Sequence, residues 1–483
     1  MSTSDIIWLL VQVIGSLALF LFGMKYMSEA LQRFAGQGMR NVLASFTSNR
    51  FKSILTGAFV TTVIQSSSAT TVMVVSFVNA GILKLRNAIG VIMGANIGTT
   101  MTAWIITLFG LKFDISAFAI PVIGAGFICM MLNKIKINQV GEFLVGFGIL
   151  FLGLTFLKNT ISDLDLQNSE AVRNIIAACV SDGNAHIGHV LLFLLIGTIL
   201  TTILQSSSAT MALTIVLCSE GVIPLELAVA LVLGENIGTT ITANIAAAIG
   251  NSTAKRAARA HLLFNTIGVL WILVVFRLVM PFINFLTISI EGVSPYVSAA
   301  AVPVALSLFH TLFNIMNTSI LVWFVPQIEK LTSLMVQGSN EEDEVEYRLK
   351  YINTGFMNVG EVSIELAKKE IGEFAKRMVR MYNFIPDLMK MKQNSKEYKP
   401  LLSRVQHYEE ISDRMEIEIA DYLDKIRSES ISGDSSLRMR GMLRIVDNLE
   451  SIGDQNYQLA KMIDDRNNAG VHFSEEMEKN LSG

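Results

Sequence analysis

The chain has 483 residues, of which 51% are hydrophobic and only 16% charged, with 38 Lys+Arg against 41 Asp+Glu and a formal net charge of −3. Ordinary soluble proteins carry about 25% charged residues. Together with a mean hydropathy of +0.49, these values exclude a disordered chain, a disulfide-stapled secreted domain and a typical cytosolic enzyme. The charge is unevenly spread. Residues 1–339 hold 17 Lys+Arg and 13 Asp+Glu, whereas residues 340–483 hold 21 and 28. The pattern predicts a membrane domain over 1–330, a linker over 331–349, an acidic helical domain over 350–470 and a tail over 471–483. Cys129, Cys179 and Cys218 lie far apart with no metal-ligand spacing, and read as small core residues.

A spanning helix needs about 20 apolar residues. Such runs occur at 6–27, 87–110, 115–133, 139–157, 227–250, 261–283 and 302–326. The first has no basic leader region or cleavage site and reads as a retained span. Two more apolar stretches, 53–81 and 189–219, are interrupted by Gln65-Ser66-Ser67-Ser68 and Gln205-Ser206-Ser207-Ser208. Polar groups persist at membrane depth only where they face protein or a water-filled cavity. With about 12 residues per arm, each stretch reads as a re-entrant helical hairpin. The arrangement places Arg33, Arg40, Arg50, Lys52, Lys84, Arg86, Lys134, Lys136, Lys255, Arg256 and Arg259 on one side. Asp114, Asp163, Asp165, Asp182, Glu220 and Glu226 gather on the other, with few cations (Lys112, Lys158, Arg173, Arg277). The positive-inside rule makes the basic side cytoplasmic, with the N-terminus outside and the acidic domain inside.

The two polar clusters belong to a repeat. Residues 57–71 read GAFVTTVIQSSSATT and 197–211 read GTILTTILQSSSATM, an offset of 140. At the same offset GANIGTT (94–100) matches GENIGTT (234–240). LFLFGM (19–24) resembles ILFLGL (149–154) at an offset of 130. This implies repeat 1 over 6–133, repeat 2 over 139–283 and a final helix over 302–326. An odd number of spans separates the copies, so they are expected to be inverted, as in many secondary transporters. Close packing by small residues explains Gly and Ser in general, but not Gln followed by three serines twice.

Serines opening a half-helix are good N-caps, and that helix end presents free N–H groups and a positive dipole end. Two such ends facing one another suit an anion rich in acceptors, such as phosphate. Gln65, Gln205, Asn96, Asn236, Thr99, Thr100, Thr239 and Thr240 offer oxygens suited to a hard cation such as sodium. Gly98 and Gly238 let the backbone open, so the Asn-Ile-Gly-Thr-Thr segments read as helix interruptions. Glu235 replaces Ala95 of the first copy. As an intramembrane carboxylate it can bind a cation, carry a proton or pair with a nearby donor. His261 and His310, in HLLFN and HTLFN, read as interhelical hydrogen-bonding groups more readily than as a proton relay.

With its twin QSSS motifs and GxNIGTT partners, the chain resembles the type II sodium–phosphate cotransporter family over residues 5–330. The resemblance implies sodium-dependent phosphate transport by alternating access. Gln65 to Ser68 and Gln205 to Ser208 would surround phosphate and sodium, with Asn96, Thr99, Thr100, Asn236, Thr239 and Thr240 completing the site. The family's animal members lack a comparable C-terminal domain, so the chain looks bacterial, in a cytoplasmic membrane.

Amphipathic patterns at 350–392, 399–430 and 435–467, broken at Pro400 and at 432–436, predict an antiparallel three-helix bundle. The fold class is therefore all-α: a polytopic membrane domain plus a soluble bundle. NLESIGDQNYQLA (448–460) and HYEEISDRMEIEI (407–419) resemble PhoU-like domains, which regulate phosphate transport. By that resemblance Glu409, Asp413, Glu450 and Asp454 would hold iron, zinc or a similar cation. A surface carboxylate cluster is the alternative. The full PhoU protein has two such units, so a homodimer would supply the second. Expected partners are thus phosphate, sodium, the lipid bilayer, a second copy and a cytoplasmic regulatory protein. Nucleic acid finds no support in an acidic domain. No nucleophile–base pair, P-loop or catalytic metal motif is visible, so no enzyme is expected. Export of phosphate, and sensing without transport, remain open alternatives to symport.

Overall fold

The computed structural model describes residues 3–45, 49–79, 83–112, 116–132, 134–170, 172, 174, 179–181, 184–248, 250–336, 349, 352, 360–391, 395, 397–427 and 433–471. They divide into two units, Met1–Ser339 and Asn340–Gly483, both helical. The one strand pairing among the described residues is Val180–Ser181 with Asn184–Ala185.

In the first unit, helix α1 (Thr3–Ser45) is followed by α2 (Arg50–Ile64) and α3 (Ser67–Asn79), the two arms of the first interrupted stretch. Helix α4 (Leu85–Ile105) runs on into a π-helical segment, Ile106–Lys112. Then come α5 (Ser116–Met130) and α6 (Ile135–Asp163). The second interrupted stretch is α7 (Ile187–Leu204) and α8 (Ser207–Ser219), followed by α9 (Leu225–Ala247). Helices α10 (Ser252–Val274), α11 (Phe276–Glu291), α12 (Val302–Leu321) and α13 (Val325–Met335) complete it. Seven described helices are long and apolar enough to cross a membrane, which makes this a multi-pass membrane protein.

Those seven are not quite the seven runs read from the sequence. The segment Ile187–Leu204 qualifies, being 18 residues long rather than about 12. Helix α5 has only 15 residues and falls among the shorter apolar helices. The run at 261–283 is not one helix but two, parted at Val275 (φ −99, ψ 10). The break moves Arg277, which is exposed, into the first turn of a separate helix. Within one continuous span that charge would be costly.

The largest correction concerns the NIGTT segments. Both lie inside unbroken helices, α4 and α9. Their glycines serve close approach instead. Helix α4 packs on α2, and α9 on α7. A Cβ on Gly94 would stand 2.8 Å from Ala58 N and collide with Ile54 O. One on Gly234 would stand 2.8 Å from Thr198 N and collide with Leu194 O. Gly98 and Gly238 repeat the pattern, at 2.5 Å from Ala58 O and 2.6 Å from Thr198 O. Every partner is shifted by the same 140 positions. Helices α1 and α6 cross reciprocally: a Cβ on Gly23 would stand 2.7 Å from Leu150 Cα, and one on Gly153 2.7 Å from Phe20 Cα. Here both positions shift by 130.

In the second unit, α14 (Gly360–Lys390), α15 (Tyr398–Arg427) and α16 (Gly433–Asn468) pack against one another. Phe374, Met381 and Leu388 of α14, Val405, Ile419 and Leu423 of α15, and Met439, Val446 and Ala460 of α16 fill the core. The apolar stripe of each helix drives the association, since isolated helices gain little from propensity alone. Helix α13 extends to Met335, five residues into the expected linker; 337–348 of that linker, 350, 351 and 353–359 of the expected first bundle helix and 472–483 of the tail lie outside the described residues. So do Asp114, Arg173 and Asp182, and the side chains of Arg40 and Lys112.

Candidate functional site: two matched helix interruptions and their motif helices

Both QSSS loops are built alike. Gln65 (φ 56, ψ 26) and Gln205 (φ 50, ψ 27) cap their first arms in the left-handed region. A non-glycine residue there is uncommon and strained, and only one other described non-glycine residue, Asp165, has positive φ. The following serine caps the second arm: Ala69 N donates to Ser66 Oγ, and Ala209 N to Ser206 Oγ, both at 3.2 Å. The arms are tied by Thr61 Oγ1 donating to Thr70 Oγ1 at 3.0 Å and Thr201 Oγ1 to Thr210 Oγ1 at 2.9 Å. Reading the motif missed these threonine pairs, although both lie within the repeated segments. Ser67, Ser207 and Ser208 are buried, and Ser66, Ser68 and Ser206 half-buried.

The motif helices lie beside these loops. Helices α3 and α8 each pack on both α4 and α9, so each second arm touches both NIGTT helices. Asn96, Thr100, Asn236, Thr239 and Thr240 are buried and Thr99 is half-buried. Their threonine hydroxyls turn back onto their own helices: Thr99 to Ala95 O and Thr239 to Glu235 O, Thr100 to Ile97 O and Thr240 to Ile237 O, all at 2.7–3.0 Å. Such local bonding keeps a threonine inside a helix satisfied. Among the described residues, no hydrogen bond joins the two QSSS tips directly.

The copies differ in their surroundings. Gln65 is buried, accepts from Thr102 Oγ1 at 3.0 Å and donates to Thr62 O at 2.5 Å. Ser28 of α1 donates to Ile64 O just ahead of it. Gln205 is exposed and has no side-chain hydrogen bond among the described residues. Asn96 Nδ2 donates to Asn265 Oδ1 on α10 at 2.6 Å, while Asn236 Nδ2 donates to Val232 O of its own helix at 2.9 Å. We expect Gln65→Gly to lower the melting temperature of the purified protein, because bonds are lost. Gln205→Gly should leave it unchanged or raise it, because glycine relieves a positive φ that is worth about 1 kcal/mol.

Glu235 is 1% exposed, and its Oε2 has no hydrogen-bond partner. His261 and His310 are likewise buried, with Nδ1 and Nε2 of the first and Nδ1 of the second unpartnered. No basic residue lies within either loop or either NIGTT segment.

In the second unit, Glu409, Asp413 and Asp454 bring one oxygen each to within 4.8 Å of one another. Gly453 makes this approach feasible, since a Cβ there would stand 2.7 Å from Ser412 Oγ. Glu450 is not in that trio; its carboxylate meets Ser451 Oγ at 3.4 Å. Burial, then the charges of Asp413, Asp454 and Glu410, push the Glu409 carboxyl above its ordinary value. Burial, then Asp454, Glu416 and Asp413, does the same to Glu450. A trio of carboxylate oxygens suits a hard cation.

A multi-pass helical membrane protein with a duplicated pair of capped helix interruptions is the class that this architecture defines. The family described as Na+/Pi-cotransporter matches residues 19–159 and 167–294. The chain belongs to that family. "Uncharacterized protein YqeW" of Bacillus subtilis (strain 168) is 31% identical over 328 residues, 68% of this chain and 98% of that protein. "Putative inorganic phosphate export protein YjbB" of Escherichia coli (strain K12) is 25% identical over 447 residues, covering 92% and 76%. "Sodium-dependent phosphate transport protein 2B" of Homo sapiens is 40% identical over 103 residues, covering 20% and 15%. No solved structure matches.

Proposed function

We propose that the chain carries inorganic phosphate across the cytoplasmic membrane together with sodium, by alternating access around the two QSSS loops. The observation that carries this reading is the duplicated, serine-capped helix start behind a left-handed glutamine, in a member of the Na+/Pi-cotransporter family. Each capped start offers N–H groups and hydroxyls to phosphate oxygens. With no cation of the protein's own in the loops, neutral donors bind the anion weakly enough to release it. Moving one charge against 100 mV costs about 2.3 kcal/mol, so entry of an anion into a negative interior needs accompanying cations. Gln65, Gln205, Asn96, Thr99, Thr100, Asn236, Thr239 and Thr240 supply neutral oxygens for sodium, and Glu235 is the coupling carboxylate. The hairpins are re-entrant and inverted, with the N-terminus outside and the acidic bundle cytoplasmic.

A second direction has its own support. The relative named for phosphate export covers 92% of this chain, and so extends into the acidic unit. The human sodium-dependent relative covers 20%. Labelled-phosphate flux in proteoliposomes, with sodium, proton and voltage gradients varied separately, distinguishes symport, export and a non-transporting sensor. Triple Ser→Ala replacement at 66–68, or at 206–208, should cut flux at least about 100-fold, since each donor lost from an anion costs about 1.5–3 kcal/mol. Full flux in both variants, at normal expression, removes the site assignment.

In the acidic unit, Glu409, Asp413 and Asp454, with Glu450 beside them, would hold an iron, zinc or similar divalent ion in a PhoU-like regulatory bundle that pairs with a second copy or a regulatory protein. Both glutamates bind their protons more tightly when folded than when unfolded. Burial, then repulsion from the neighbouring carboxylates, therefore weakens the fold above the raised folded values, and the penalty vanishes below the unfolded value of about pH 4.3. Added metal should accordingly raise the melting temperature of the full-length protein at pH 7, with the effect fading by about pH 4. No shift at pH 7, and no metal retained on dialysis, removes the site.

A further inference from the structure

Two helices beside the motif helices carry a short repeat of their own. HLLFN at 261–265 on α10 and HTLFN at 310–314 on α12 are 49 positions apart. The same shift relates Gly268 to Asn317, and these two counterparts touch: a Cβ on Gly268 would stand 2.7 Å from Asn317 Cγ. Asn317 Nδ2 also donates to Phe264 O at 3.2 Å. Helices α10 and α12 therefore meet at matched positions, and both pack on α4 and on α9.

Within this frame Asn96 and Asn236 are counterparts, and so are Asn265 and Asn314. One cross-pair is made, Asn96 Nδ2 to Asn265 Oδ1 at 2.6 Å. The matching pair, Asn236 with Asn314, is not. Asn236 Nδ2 instead donates to Val232 O, a carbonyl of its own helix. Asn314 is fully buried, and its Oδ1 has no partner. A buried amide oxygen left without a donor is costly and uncommon. The loops show the same one-sidedness independently. Gln65 is held by Thr102, whereas Gln205 is exposed and unbonded while Thr242, the counterpart of Thr102, stands 140 positions on.

We propose that Asn236 and Asn314 form the second of two alternating latches, closed in the conformation in which Asn96 and Asn265 part. Closing it satisfies the orphaned Oδ1 of Asn314 and frees Asn265. The described structure is then the end state with the first latch shut and the second loop open. Asn265 and Asn314 act as positioning residues: they touch neither ion nor phosphate, but set which loop is held. This rests on the alternating-access reading above.

The test is hydrogen–deuterium exchange of the full-length protein, read at the two tips, 61–70 and 201–210. Asn314→Leu removes the orphan acceptor here and the second latch in the other state. It should raise the melting temperature, slow exchange at 61–70 and speed it at 201–210. Asn265→Leu should do the opposite at both tips. Losing one buried amide bond corresponds to a shift of about five- to tenfold in the ratio of the two states. The proposal is overturned if Asn314→Leu leaves both tips within twofold of the parent protein, or moves them in the same direction as Asn265→Leu. Should Asn265→Leu fail to fold, Asn314→Leu decides alone, since it deletes an unmet polar group. Flux plays no part in the readout, so a chain that moves no phosphate can still pass and one that does can still fail.

Discussion

Gly94→Leu and Gly234→Leu are each expected to leave almost no monodisperse protein after detergent extraction. The added Cβ alone would collide with Ile54 O in the first case and Leu194 O in the second. Both obstacles are backbone atoms within helices, so no rotamer change clears them. Relief requires α4 to move off α2, or α9 off α7, which opens the packing along the whole pair. Overpacking a core ordinarily costs about 1–3 kcal/mol; displacing two backbones costs more, against a total stability of about 5–15 kcal/mol. Gly124→Leu and Gly188→Leu are the controls, because nothing lies within 4 Å of a Cβ at either position. Size-exclusion profiles and melting temperatures make the comparison. A Gly94→Leu protein that matches the controls would mean that the helices are not in backbone contact.

The second large effect is expected at Glu235, and it separates stability from function. A carboxylate that is 1% exposed with an unpartnered oxygen weakens the fold that holds it. Glu235→Leu fills similar space without the unmet oxygen and should melt several degrees higher. For a chain of this size, about 1 kcal/mol corresponds to about 2–4 °C or less. The same change should abolish the response to sodium. If Glu235 holds a cation, the parent protein's melting temperature climbs with sodium chloride relative to choline chloride, by mass action, and the variant's does not. Glu235→Ala, which makes the second motif identical to the first, should behave alike. Unaltered sodium dependence of both melting and flux in these variants would reduce Glu235 to a packing residue.

Much of this architecture was legible in the residues. The polar clusters at 65–68 and 205–208 announced interrupted helices because four polar side chains cannot sit within a lipid-facing helix. The offset of 140 announced duplicated contacts, and the partners of Gly94 and Gly234 obey it. Glycine itself was ambiguous. In NIGTT it signals either an opened backbone or a close neighbour, and one sequence does not say which; the packing of α2 and α7 decides for the neighbour. Val275 carried no break signal, since a valine pair is common in apolar helices. The difference between Gln65 and Gln205 lies beyond any motif, because identical residues occupy unlike surroundings. In the acidic unit, the resemblance of 407–419 and 448–460 to PhoU-like domains brought out Glu409, Asp413, Glu450 and Asp454. That Asp454 joins Glu409 and Asp413 and Glu450 stands aside depends on how α15 and α16 cross at Ser412 and Gly453.

The crossing of α1 and α6 has a further consequence. Gly23 meets Leu150 while Gly153 meets Phe20, so each side presents to the other what it receives. This is the reciprocity of an isologous dimer interface, found here within a single polypeptide. A half-length ancestor bearing one glycine-notched helix could have associated with a second copy of itself through this surface, before fusion tied the two together. Fusion then freed the copies to diverge, and an acid could appear at position 235 of one half without appearing at position 95 of the other.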